Sequence, residues 1–280
     1  MSYTLSEFIE RDVELGYYDI ISYRKVHNQS TFSSRWFDLS VAPGNPVPEF
    51  YASTPLTATP INHKTSFRIR DADEDTRYIT KVILTTSSSQ ILQVKLINRI
   101  AFWPFVDGDD PSLQVFNNDF KAELDNYPNT QVYLVAQSAI SGNVKATINY
   151  TDRLSNTYSS SQQINDGSQY GQLCFGSISG GVVSNGPFLN LDGNDKFGPA
   201  FLESVQFSSG LPGGILCFVL CQVLAEFELQ TNNSPVEVDF IKDQARLIKL
   251  PKGAQPSFLV HATGSLSSAV ITGTIESWFI

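Results

Sequence analysis

The chain carries an internal echo of itself, and that echo limits its folds more than any other feature. Phe67-Arg-Ile-Arg-Asp71 lies over Phe188-Leu-Asn-Leu-Asp192. Both runs lead into an acidic turn and then into Val82-Ile-Leu84 and Val205-Gln-Phe207. Further on the offset settles at 124: Ile91 on Ile215, Leu96 on Leu220, Asp119 on Asp243, Leu134 on Phe258. A near-constant offset across strand-like runs predicts one unit duplicated in tandem.

Apolar runs rich in β-branched and aromatic residues recur between Gly, Pro and Asn turns. Ile79–Thr85, Ile91–Ile97, Gln131–Gln137 and Val144–Tyr150 belong to the first half. Glu203–Ser208, Ile215–Leu224, Ser257–Ala262 and Ala269–Trp278 belong to the second. Short strands at this spacing predict a mainly β protein. The expected architecture is two tandem, jelly-roll-like β-sandwich units over 31–152 and 165–280. Residues 153–164, rich in Ser, Asn and Gln, read as the linker between them. Residues 41–65 carry Pro43, Pro46, Pro48, Pro55 and Pro60 and should run extended and mostly unpaired.

Residues 1–30 read as an N-terminal helix or arm. Thr4-Leu-Ser-Glu7 fits a capping box, with Tyr3 and Phe8 placed as a hydrophobic staple. Leu5, Phe8, Ile9, Val13, Tyr17, Ile20 and Ile21 follow helical spacing, although the stretch beyond Gly16 reads equally as a strand. Such a stripe has to dock, on its own body or on a neighbouring subunit.

The halves differ at one strand. Leu92, Val94 and Leu96 alternate with the polar Gln93 and Lys95, as in a strand with one wet face. At the matching positions Leu216, Phe218 and Leu220 alternate with Cys217, Val219 and Cys221, so both faces are apolar. The second strand needs a cover: the N-terminal helix, the first half or another subunit. Phe8, Val13, Tyr17, Cys217, Val219 and Cys221 are accordingly the candidate interface residues.

The net charge of −9 and the absence of a basic run argue against nucleic acid and anionic membranes as partners. No apolar run approaches the length of a membrane span, and no secretory signal is evident at the start, which points to folding in a cytoplasm. Cys217 and Cys221 fall in one strand, roughly 13 Å apart, too far to bond to each other. With Cys174 they are expected to be reduced and buried.

Candidate chemistry is thin. Asp71-Ala-Asp73-Glu-Asp75 begins like a calcium loop but has Thr76 and Val82 where the turn glycine and the bidentate Glu belong. Asp192-Gly-Asn-Asp195 is equally short of ligands. His27, His63 and His261 stand far apart, without zinc spacing. There is no G-x-S-x-G elbow, and Gly176-Ser-Ile-Ser-Gly-Gly181 lacks the lysine of a phosphate loop. His261 reads as structural. No catalytic, metal or cofactor-binding residue is assigned. Trp36, Trp103 and Trp278 are available for stacking on sugar rings, although aromatics on strands usually serve the core.

Two segments carry a resemblance. Arg35-Trp-Phe-Asp-Leu-Ser-Val-Ala-Pro-Gly-Asn-Pro-Val-Pro48 and Trp103-Pro-Phe-Val-Asp-Gly-Asp-Asp110 resemble stretches of uncharacterised virion structural proteins of tailed bacteriophages. The resemblance implies a non-enzymatic capsid-decoration, neck or tail-associated component, made in the host cytoplasm and incorporated in the virion. It also implies other virion proteins as partners and homo-oligomerisation. A glycan- or receptor-binding module on the particle is the alternative.

Overall fold

A computed structural model describes residues 18–27, 35–67, 77–118, 127, 129–164, 168–175, 178–179, 182–183, 186–230, 232–242, 247–251, 253–262, 264, 266 and 268–279. The helix expected over the first residues, with Phe8, Val13 and Tyr17, lies outside them. Ile20 and Ile21, counted into that helical stripe, belong instead to strand β1 (Tyr18–Val26), where Tyr23 and Lys25 alternate inward against exposed neighbours. The strand reading beyond Gly16 therefore holds from Tyr18 onward.

The strands follow in order: β2 (Trp36–Asp38), β3 (Gly44–Asn45), β4 (Thr59–Pro60), β5 (Arg77–Thr86), β6 (Leu92–Asp107), β7 (Gln114–Val115), β8 (Thr130–Ala136), β9 (Val144–Asp152) and β10 (Thr157–Ile164). After them come β11 (Ile178–Ser179), β12 (Val182–Val183), β13 (Pro199–Phe207), β14 (Ile215–Leu229), β15 (Val236–Asp239), β16 (Ile248–Leu250), β17 (Pro256–Ala262) and β18 (Val270–Phe279). Each run that the sequence marks as a strand coincides with one of these. Residues 153–164, expected as a linker, instead contain β10, because the Tyr158-to-Ile164 alternation lets it zip onto β9 as a hairpin. The proline-rich segment behaves as its composition dictates, contributing only the two-residue strands β3 and β4.

The halves do not stack as two successive sandwiches. β14 pairs with β6 and β8, β5 pairs with β18 and β15, and β9 pairs with β13, so each large sheet takes strands from both halves. A central sheet runs β2-β17-β6-β14-β8. It closes on itself, because residues 171–174 bond to β8 on one side and to β2 on the other: Cys174 N to Leu134 O at 2.7 Å, Leu173 N to Trp36 O at 3.0 Å. A sheet of β15-β5-β18-β1-β3 packs over one side of this ring, and β10-β9-β13-β7 packs over the other.

The pairing scheme maps onto itself. In the β6–β14 ladder Asn98 stands opposite Gln222, residues 124 apart. Leu96 opposes Ala225 while Leu220 opposes Ala101, and Val94 opposes Phe227 while Trp103 opposes Phe218. Each pair becomes the other when 124 is added to one member and subtracted from its partner. The outer sheets obey the same exchange: β1 flanks β18 as β10 flanks β9, and β15 flanks β5 as β7 flanks β13.

Two cores result. Ile79, Val82 and Leu84 of β5 meet Leu92, Val94 and Leu96 of β6. Ile148 of β9 and Leu202 and Val205 of β13 meet Leu216, Phe218 and Leu220 of β14. The strict period of two in β14 aims its Leu and Phe at one outer sheet and its Cys and Val into the ring.

Candidate functional site

Inside the ring, Asp38 turns inward from β2. Its carboxylate accepts hydrogen bonds from Ser40 N (2.8 Å), Tyr51 Oη (2.5 Å) and Tyr133 Oη (2.8 Å). Arg99, from the middle of β6, is 1% exposed. It donates to Ser66 Oγ (2.8 Å) and Thr65 O (2.9 Å) and lies 3.6 Å from Glu49. Glu49 in turn accepts from the backbone N–H of Phe50 and Tyr51. Lys25 donates to the carbonyls of Ser40 and Ala42. Burial, then the nearby Arg99 charge, lowers its pKa to about 8. Burial and the Asp38 charge hold the Tyr51 and Tyr133 hydroxyls well above the ordinary tyrosine range. This cluster is sealed within the protein. Its effect is to pin the proline-rich segment, through Glu49, Tyr51 and Thr65, into one end of the ring.

That segment is the cover the sequence demanded. Cys217, Val219 and Cys221 are fully buried within the single chain. Val219 sits between Tyr133 of β8 and Phe102 of β6, and Tyr51 packs on Phe102 at 5.3 Å between ring centroids. The expectation that these three residues lie at an intersubunit face is corrected: the cover comes from the first half of the same chain. All three thiols are free, and burial raises the pKa of each, that of Cys174 to about 12.

Where the covering segment leaves the ring, an apolar rim faces solvent. Phe50 is 66% exposed, Phe105 37% and Ile215 46%. Gln137 organises the rim, accepting from Phe105 N and donating to the carbonyls of Phe50 and Tyr51, while its own N–H donates to Ile215 O. Three bulky residues of this neighbourhood have left-handed backbones: Tyr51 (φ 45°), Leu56 (φ 55°) and Phe105 (φ 57°). Each costs on the order of 1–3 kcal/mol and persists only where the surroundings enforce it. Neither Gln137 nor the strained phenylalanine stands out in the sequence.

At the opposite end of the ring no such segment plugs the inward face. Cross-strand pairing lines up Trp36 (β2), His261 (β17), Gln93 (β6) and Glu228 (β14) in one row, with Lys95 and Glu226 in the row beside it. Lys95 forms an ion pair with Glu226 and lies over the Trp36 ring at 5.1 Å. The Trp36 and His261 rings are 5.3 Å apart. These side chains bound a groove of about 240 Å³. Of the other tryptophans, Trp103 is core and donates to Asn118, and Trp278 lines a second hollow with Tyr18.

Asp192–Asp195 is a self-bonded turn, with Asp192 accepting from Asn194 N. Among the described residues no group of three or more metal-ligating side chains converges. No helix among them is long and apolar enough to cross a membrane. No family model, curated protein or solved structure matches the chain.

Proposed function

We propose that the protein is a non-enzymatic structural component of a phage virion, a capsid-decoration, neck or tail-associated element that acts by protein–protein assembly and self-association. The observation that carries this reading is the rim. An exposed pair of phenylalanines, one held at φ 57° by a dedicated glutamine, is an apolar surface maintained against its own backbone preference. The two segments that resemble virion proteins both run into it: Arg35–Pro48 ends two residues before Phe50, and Trp103–Asp110 contains Phe105. The same reading takes the matched halves as a duplicated unit whose strands have exchanged partners.

Sedimentation velocity over a concentration series tests the self-association. Asparagine tolerates the left-handed region, so Phe105→Asn relieves strain while removing the ring. The expected outcome is a concentration-dependent oligomer in the wild type that Phe50→Ser and Phe105→Asn abolish, with melting temperatures kept. A wild type that sediments as a monomer throughout, or oligomers indifferent to both substitutions, overturns the rim as the contact.

A further inference from the structure

The two ends of the ring are related by the 124 exchange, yet one is plugged and the other is open. The reason lies in chain length. Between β2 and β5 the chain spends residues 39–76; between 172–174, the counterpart of β2, and β13 it spends only 175–198. The longer connection supplies Tyr51 and its anchors as the plug. The inward residues have diverged accordingly. Where the plugged end has Cys217 and Val219, the open end has Gln93 and Lys95; where it has Phe102, the open end has Glu226. Val135, beside Cys217 on β8 and bridged to Leu173, corresponds to His261, beside Gln93 on β17 and paired with Trp36.

We propose that the open end is a binding site for a neutral pyranose, the terminal or branch residue of a glycan. Trp36 supplies the planar face that stacks on sugar C–H groups, and it is already fixed by its pairing with His261 and by the Lys95 ammonium over its ring. A platform held in place before binding loses little freedom on binding. Around it stand donors and acceptors of both kinds, as a polyol requires: the Gln93 amide, the Glu226 and Glu228 carboxylates and the Lys95 ammonium. Among the described residues the side chains of Gln93 and Glu228 make no hydrogen bond, so the site presents unspent polar groups beside an aromatic face. The volume, about 240 Å³, falls just below the roughly 300 Å³ at which drug-sized pockets begin, which suits one sugar ring. Two carboxylates against one ammonium disfavour acidic sugars, and Lys95 already occupies the position a ligand cation would seek. This site is spatially and chemically separate from the apolar rim, so it stands or falls independently of the assembly reading.

The test is titration of the full chain with methyl glucoside, methyl galactoside, methyl mannoside and N-acetylglucosamine, read by saturation-transfer NMR and by the indole N–H resonance of Trp36. At least one sugar is expected to saturate, with a dissociation constant on the order of millimolar for so small a ligand. Gln93→Ala and Glu228→Ala, both surface changes, should each weaken binding about fivefold or more with unchanged melting, and Trp36→Phe should retain part of it. The proposal is overturned if none of the sugars saturates. It is equally overturned if binding ignores both alanine variants, or if glucuronic acid or lysine amide binds more tightly than every neutral sugar.

Discussion

Val219 and Lys95 occupy matched positions and meet opposite environments, so the same kind of change should have opposite consequences at each. Burying a Val-sized side chain contributes about 1.5–3 kcal/mol. An ammonium placed between Phe102 and Tyr133 would be desolvated without a partner. Val219→Lys should therefore lower stability by about 3 kcal/mol or more, whereas Lys95→Val, which breaks only a largely exposed pair with Glu226, should cost no more than about 1 kcal/mol. Chemical denaturation of the two variants decides this, and equal midpoints would place Val219 in water. Asp38 is held to a stricter requirement. Removing its carboxylate strands the Tyr51 and Tyr133 hydroxyls and leaves the Arg99 and Lys25 charges buried, so Asp38→Ala should cost about 3–5 kcal/mol. The thiols add a pH dependence. Their folded pKa values are raised by burial, so their contribution is complete below the unfolded value near 9 and is lost as pH rises, for Cys174 through about 12. Each contributes a slope of about 1.4 kcal/mol per pH unit there. Lys25, depressed to about 8, acts in the opposite sense between that pH and its ordinary 10.5, because the folded state sheds its proton first. Three thiols against one lysine leave a net loss of stability above about pH 9. Denaturant midpoints measured from pH 8 to 11 should fall, and a flat profile would contradict the buried thiols.

At the scale of elements, the close approach of β13 to β8 depends on Gly198. Its φ is +83°, and an added Cβ would lie 2.1 Å from the carbonyl oxygen of Thr130, whose hydroxyl donates to Pro199 O. Gly253 has a similar φ of +73° but open space around it. Gly198→Ala should lower the melting temperature well beyond Gly253→Ala, since the second pays only the left-handed backbone cost of about 1 kcal/mol. Similar melting temperatures would show that β13 can shift away from β8 freely. The outer sheets illustrate how elements inherit their roles from the ring. β10 is polar along its outward face yet buries Ser160 and Gln162, which bond to Asn190 and Phe188 rather than to an apolar core. Such a strand has no apolar signature, and its pairing with β9 is what orders it.

For the molecule as a whole, the exchange of strands between halves has a thermodynamic consequence. Neither half retains a complete sheet without the other, since β6 is completed by β14 and β17, and β9 by β13. The long-range ladder should therefore melt as one unit. Calorimetry is expected to give a single transition whose van't Hoff and calorimetric enthalpies agree, and fragments cut in the 153–156 turn should be unfolded alone and refold when mixed. Two separable transitions, or one fragment folding by itself, would reinstate independent units.

Periodicity and turn chemistry are local properties, and they determined the mainly β class, the position of nearly every long strand, the unpaired proline segment and the contrast between Gln93/Lys95 and Cys217/Val219. Even the 124 offset was legible, and it reappears in the ladder as Asn98 opposite Gln222. An offset, however, states which residues correspond and not which residues pair. Whether matched strands stay within their own half or cross to the other depends on contacts more than a hundred residues apart, which no local pattern records. The same holds for the sites. Arg99 in an apolar run hinted at a buried charge, but its partners Glu49 and Ser66, the Asp38–Tyr51–Tyr133 cluster beside it and the Trp36–His261–Gln93–Glu228 row each draw on segments distant in sequence. Tertiary structure alone decided them, because closure of the ring is what brings those segments onto one surface.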